Sequence, residues 1–276
     1  MSNRPITALI TGASSGIGEA AAWRLAREPG TRLVLVARRE DRLRELAKKL
    51  PVPTTYVAAD LTAQDAPGRV LAHVQEHLEQ LTLLVNNAGA SWRGTFEDEG
   101  YENVRRTMDL NFDAVLRLTE AMLPMLRESA PSSIVNIAST ASRIARGGAG
   151  AYSASKFAIA GWTDALHHEE KANGVHVGMV LPGFIKTEGF PADELTAKAA
   201  TRWMVSDVEK VAEAIYETGP GGKAERYVPR GYALAGALRS VSPSLTRRLL
   251  GGGVGKMAVT KTGADAADRA QDTSKN

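Results

Sequence analysis

Apolar residues fall in short runs, separated by stretches in which they recur every three or four positions. The runs at 6–10, 32–37, 54–58, 81–85, 133–138 and 175–181 have strand length. Between them, 19–27, 41–50, 67–80, 101–127 and 151–172 read as helices; in the first, Ala21, Ala22, Leu25 and Ala26 share one side. Ser206 is placed to cap a further helix at 207–218, before a last strand at 227–228. Strand and helix alternate, which predicts an α/β fold. Its core is a doubly wound, Rossmann-like parallel sheet of about seven strands with helices on both faces. Beyond it, Leu234, Leu238, Val241, Leu245 and Leu249 are spaced by four, three, four and four, one face of a helix that Ser242-Pro243 can break and restart. The expected organisation is a domain at 1–230, a helical extension of it at 231–250 and a disordered tail at 251–276.

Composition narrows the function classes. With 43% hydrophobic and 24% charged residues the chain has the balance of a globular protein that buries a core. It has no cysteine, so thiolate catalysis, disulfides and thiolate metal sites are excluded. A net charge of +3 without a long basic run argues against nucleic acid as the partner. No leader and no transmembrane run of 18 or more apolar residues is visible, so a cytoplasmic location is expected.

The first strand runs into Thr11-Gly12-Ala13-Ser14-Ser15-Gly16-Ile17-Gly18 and then a helix. Glycines there allow a tight turn and close approach of a ligand, and the helix start offers free N–H groups to a phosphate. The second strand ends in Arg38-Arg39, where a dinucleotide fold carries an acid for the ribose 2′-hydroxyl. Two guanidiniums suit a 2′-phosphate instead, which favours NADP(H) over NAD(H). The competing picture is two exposed loop arginines; Glu40 and Asp41 stand nearby. Asp60-Leu61 ends the third strand and could hold an adenine, or Asp60 could serve a cap or turn. Asn86-Asn87-Ala88-Gly89 ends the fourth strand with small and amide residues suited to a crevice. His73 and His77 have a spacing a metal could use, but no third ligand is evident and no metal is expected.

Tyr152-Ser153-Ala154-Ser155-Lys156 sets a phenol and an ammonium four residues apart, one helical turn. A neighbouring ammonium favours the phenolate and lowers its pKa, so the pair can move a proton. Ser139 ends the fifth strand and faces the same crevice, and Asn111 sits unfavourably within a helix, where it can cap a kink or hold a water.

Together these residues resemble the short-chain dehydrogenase/reductase family, compact single-domain type, over about residues 5–229. The resemblance implies Asn111, Ser139, Tyr152 and Lys156 as the catalytic set. Tyr152 would be the general acid or base, Ser139 the partner of the substrate oxygen, Lys156 the holder of the nicotinamide ribose, and Asn111 the holder of a relay water. It implies cofactor contacts from Gly12, Ser14, Ser15, Gly16, Ile17 and Gly18, from Arg38 and Arg39, and from Asp60 and Leu61. Asn87, Ala88 and Gly89 belong to the same set, as do Tyr152, Lys156, Pro182, Gly183, Ile185 and Thr187. The activity implied is hydride transfer between NADP(H) and a carbonyl or secondary alcohol, in a homodimer or homotetramer. The alternative is a dinucleotide-binding sensor or scaffold without turnover. A hydrolase built on Ser139 lacks a well-placed histidine, since His167, His168 and His176 lie beyond the first turns of the helix.

The stretch 184–205, with Phe184, Phe190, Leu195, Trp203 and Met204, is the expected substrate loop and favours an apolar substrate. For 231–250 a lid or a subunit contact ranks ahead of a weak membrane-surface helix.

Overall fold

The computed structural model describes residues 4–187 and 204–251. The strands are β1 (Thr7–Thr11), β2 (Arg32–Ala37), β3 (Thr54–Ala58), β4 (Leu83–Asn86), β5 (Ser132–Ile137), β6 (Val175–Pro182), β7 (Phe184–Ile185), β8 (Val205–Ser206) and β9 (Glu225–Val228). Seven of them form one parallel sheet in the order β3-β2-β1-β4-β5-β6-β9, and β7 pairs with β8 separately. The sheet is apolar at nearly every central position because both faces are covered. Ala8, Ile10, Leu33 and Leu35 point to one face, and Leu9, Val34 and Val36 to the other.

Helices α1 (Gly16–Leu25), α2 (Glu40–Lys49), α3 (Ala66–His77), α4 (Phe96–Met108), α5 (Ala114–Glu128), α6 (Gly150–Glu170) and α7 (Val208–Thr218) follow in chain order. Helices α1, α2 and α7 supply Ala21, Leu25, Leu43, Leu46, Val211 and Ile215 to the first face. Helices α3, α5 and α6 supply Val70, Val74, Leu118, Met122, Leu126 and Leu166 to the second. A fully buried leucine here contributes about 2 kcal/mol relative to an exposed one. The chain crosses between faces at β1 and β4, which opens a crevice at their C-terminal ends.

Two expectations change. The helix expected at 101–127 is three pieces: α4, a π-helical turn Asp109–Asp113 and α5, which continues through Pro124. It begins earlier than expected because the Thr95 hydroxyl accepts the Asp98 N–H at 3.2 Å. Ser206 does not cap α7; it is buried in β8, and Asp207 precedes the helix without a side-chain capping bond. The break at Ser242-Pro243 is present: α8 (Tyr232–Val241) ends there and α9 (Pro243–Gly251) begins with the proline.

Candidate active site

The crevice is a cleft of about 400 Å³ at the ends of β1, β4, β5 and β6. Of the expected cofactor residues, Gly12, Ser15, Gly16, Ile17, Asn87, Ala88, Gly89, Pro182, Gly183, Ile185 and Thr187 line it; so do Ser139, Tyr152 and Lys156. Ser14, Gly18, Arg38, Arg39, Asp60, Leu61 and Asn111 stand outside that lining.

The turn after β1 is clamped onto the turn after β4. The Thr11 hydroxyl accepts the N–H groups of Asn87 and Ala88 at 2.9 and 3.0 Å, and the Asn87 amide donates to the Thr11 carbonyl at 2.9 Å. Gly12 has φ +64°, and a Cβ there would stand 2.9 Å from the Ala88 Cα. A Cβ on Gly18 would stand 2.4 Å from the Gly12 carbonyl oxygen, so the turn closes only on glycine. Gly16 to Gly18 form the first turn of α1, and Ser15, at its N-cap, makes no side-chain capping bond. The helix therefore presents uncapped N–H groups and its positive end to the cleft, which fits a pyrophosphate.

Arg39 folds back over this turn. Its guanidinium donates to the Ser15 hydroxyl at 2.8 Å and to Ser14 at 3.2 Å. Asp60 sits in a tight turn, accepting the Thr62 N–H at 3.0 Å and the Thr62 hydroxyl at 2.8 Å on one oxygen. Burial would raise its pKa, but the Thr62 bonds and the Arg38 charge outweigh that and hold the carboxyl below its ordinary value. Leu61 is buried in the core between sheet and helices. The turn function of Asp60 and the packing of Leu61 are thus both occupied roles.

Helix α6 delivers Tyr152 and Lys156 from its first two turns. Lys156 is buried; its Nζ donates to the Ile137 carbonyl at 2.7 Å and lies 5.7 Å from the centre of the Tyr152 ring. Burial pulls the ammonium down to about 8. Burial also pushes the Tyr152 phenol up, against a hydrogen bond with Ser139 and the charges of Arg146 and Arg93. The expected lowering of the phenol by Lys156 is therefore not the governing effect; desolvation is.

Ser139 is buried at the end of β5, where its hydroxyl donates to the Pro182 carbonyl at 3.3 Å and accepts the Ala141 N–H at 3.1 Å. Asn111 lies in the π turn, fully buried. Its amide donates to the Ala90 carbonyl at 2.9 Å and to the Ser155 hydroxyl at 3.1 Å, and its oxygen accepts the Ala90 N–H at 2.9 Å. It ties the loop after β4 to α6, one residue from Lys156.

Three features were not read from the sequence. Arg93 and Arg146 line the cleft beside Tyr152, with the Arg146 guanidinium 4.5 Å above the Phe184 ring. A buried amide chain joins the strand ends: Asn86 donates to Thr119 at 3.0 Å and to Asn136 at 2.9 Å, and Asn136 donates to Thr163 of α6 at 2.9 Å. Near His73 and His77, Glu76 supplies the third group that spacing did not reveal, with potential ligand atoms within 4.8 Å of one another. The two rings stack at 4.1 Å, with His73 also bonded to the Thr55 hydroxyl and His77 to the His73 carbonyl. Most of the expected substrate loop, 188–203, and the tail, 252–276, lie outside the described residues.

Comparison with known proteins agrees with this architecture. The sequence profile described as short chain dehydrogenase matches residues 6–197. The chain is 36% identical over 180 residues to an uncharacterized oxidoreductase of Staphylococcus epidermidis, covering 65% of this chain and 78% of that one. It is 29% identical over 249 residues to a 3-dehydrosphinganine reductase of Danio rerio, covering 85% and 75%. L-Sorbose reductase from Gluconobacter frateurii, solved with NADPH and L-sorbose, superposes with a TM-score of 0.71 at 27% identity, covering 81% of this chain and 94% of that one.

Proposed function

We propose a function from one premise: the chain belongs to the short-chain dehydrogenase family, whose profile spans residues 6–197, and is a hydride-transfer oxidoreductase. The reading is that it uses NADP(H) on a carbonyl or secondary alcohol, with Tyr152 as the acid or base. The observation that carries it is the convergence of Ser139, Tyr152 and Lys156 with the glycine turn on one cleft.

The bound nicotinamide supplies or accepts the hydride. The uncapped start of α1, with Gly12, Ser15, Gly16 and Ile17, would hold the pyrophosphate. Arg39, which already bridges Ser14 and Ser15, and Arg38 would hold a 2′-phosphate. Asn87, Ala88 and Gly89 on one wall, and Pro182, Gly183, Ile185 and Thr187 on the other, would enclose the rest. NADPH in the solved L-sorbose reductase supports the choice of cofactor.

Tyr152 gives its phenolic proton to the oxygen of a carbonyl under reduction, or takes one from an alcohol under oxidation. A phenol raised by burial is a proton carrier in the reductive direction. The Ser139 hydroxyl turns from the Pro182 carbonyl to the substrate oxygen and stabilises the charge that grows there. Lys156 brings a buried positive charge beneath the phenol. Asn111 acts by position, fixing the Ala90 loop and Ser155 so that α6 presents its pair at one distance. Phe184 in the cleft wall supports an apolar group on a small carbonyl substrate. The proposed setting is the cytoplasm, with the chain as a homodimer or homotetramer.

The test follows the absorbance of reduced nicotinamide against a panel of ketones, aldehydes and quinones, with NADPH and with NADH. Turnover with NADPH well above that with NADH is expected. A clear NADH preference would overturn the roles given to Arg38 and Arg39, and no turnover with saturable NADPH binding would support the sensor or scaffold reading.

A further inference from the structure

The outer side of α8 is apolar where a surface helix is ordinarily polar. Ala233, Leu234, Ala237, Leu238 and Val241 are all exposed, at spacings that form one stripe, and Leu245 of α9 extends it. Leu234 is 79% exposed and Val241 85%, values that large aliphatic side chains seldom keep in isolation and that here recur along one face. The opposite side of α8 is the anchored one. The Tyr232 ring packs on Gly183, where a Cβ would stand 2.4 Å from it, and its hydroxyl donates to the Met204 carbonyl at 3.2 Å. Gly236 is buried against Arg143 and Tyr227. The apolar stripe therefore faces away from the cleft, and a lid does not account for it.

Charge decides what covers it. From Arg226 to Gly263 the sequence has no Asp or Glu, while Arg226, Arg230, Arg239, Arg247, Arg248, Lys256 and Lys261 are basic. Among these, Arg230, just before α8, and Arg247 and Arg248, in α9, are exposed. Two copies packed stripe to stripe would bring like charges together with no acid in the segment to offset them. A bilayer with anionic headgroups satisfies both features, taking the leucines and valine into the headgroup boundary and pairing the arginines with phosphates. No described helix is long and apolar enough to cross a membrane, so the contact lies in the interface plane.

We propose that α8 and the start of α9 form a docking surface for an anionic lipid bilayer, which holds the oxidoreductase body at the membrane surface. The experiment is flotation of the full chain with vesicles of phosphatidylcholine alone and of phosphatidylcholine mixed with phosphatidylglycerol, at low and high salt. The chain is expected to float with the anionic vesicles, less so at high salt, and little with neutral ones. Leu234→Ser with Val241→Ser should lower the bound fraction about tenfold or more, with far-UV spectrum and oligomeric state unchanged. Arg247→Gln with Arg248→Gln should weaken capture by anionic vesicles and leave the apolar stripe intact, which keeps the test decisive if the first variant folds poorly. No capture of the native chain by anionic vesicles would overturn the proposal. So would equal capture of both variants, or a native dimer that ignores vesicles and falls apart on the Leu234 and Val241 changes, which would assign the stripe to a second copy.

Discussion

Lys156 is a cation in a place that disfavours cations. Its ammonium donates to the Ile137 carbonyl, and burial brings its pKa from the ordinary 10.5 to about 8. The folded state therefore holds the proton less tightly than the unfolded state does. Between about pH 8 and 10.5 the unfolded chain binds more protons, so stability rises with pH across that window and the full cost of the buried charge is present below it. Removing the charge should relieve on the order of 3 kcal/mol. Leaving the Ile137 carbonyl unpaired should take back about 1–2 kcal/mol. Lys156→Met is thus expected to unfold at higher urea than the native chain at neutral pH and to lose most of its turnover. Urea titrations at pH 7 and pH 10 check the sign: the native chain gains stability over that interval and the variant does not. The same residue shows what spacing alone conveys. Tyr152 and Lys156 four apart gave the pair and its face, but the direction of the phenol shift depends on burial and on Arg93 and Arg146, which arrive from loops far away in sequence.

The elements were legible where one rule governed them. The central strands carry apolar residues on both faces, and each lies within two residues of its expected bounds. The glycine turn was legible because strand, glycines and helix follow in order, although Gly16 to Gly18 prove to be helix rather than loop. The π turn was legible only through Asn111, an amide misplaced in a helix, whose three bonds are spent on Ala90 and Ser155. The buried chain from Asn86 through Asn136 to Thr163 was not legible. An asparagine in a strand gives no sign of its cross-strand partner until register sets Asn86 beside Asn136. That chain locks the ends of β4 and β5 to α6, so Asn136→Leu should cost about 2–4 kcal/mol by leaving Asn86 and Thr163 without their partner. Urea unfolding measures it. A second consequence at this scale concerns the turn. Gly18→Ala drives a Cβ to 2.4 Å from the Gly12 carbonyl oxygen, and it is expected to weaken NADPH binding more than tenfold while the sheet survives. Fluorescence titration with NADPH and a circular dichroism spectrum separate the two effects.

Across the whole molecule, charge is distributed in a way that its small net value conceals. The cleft is lined by Arg93, Arg146 and Lys156 and by no described carboxylate, and Arg39 is bonded to Ser15 of that lining. Such a site attracts a polyanionic nucleotide through the field of the surrounding protein, and salt screens that attraction. The NADPH dissociation constant is therefore expected to rise several-fold from low to high salt, with NADH, which lacks the 2′-phosphate, less affected; titration calorimetry at two salt concentrations checks this. Within that field the Tyr152 phenol is proposed as the proton carrier of the hydride transfer. Tyr152→Phe removes one oxygen and leaves the turn, Lys156 and Ser139 in place. Steady-state oxidation of NADPH with the best carbonyl of the panel, paired with NADPH titration of the same variant, tests it most directly. Turnover is expected to fall by at least about a thousandfold, with NADPH affinity within about threefold of native. Near-native turnover in Tyr152→Phe would contradict it.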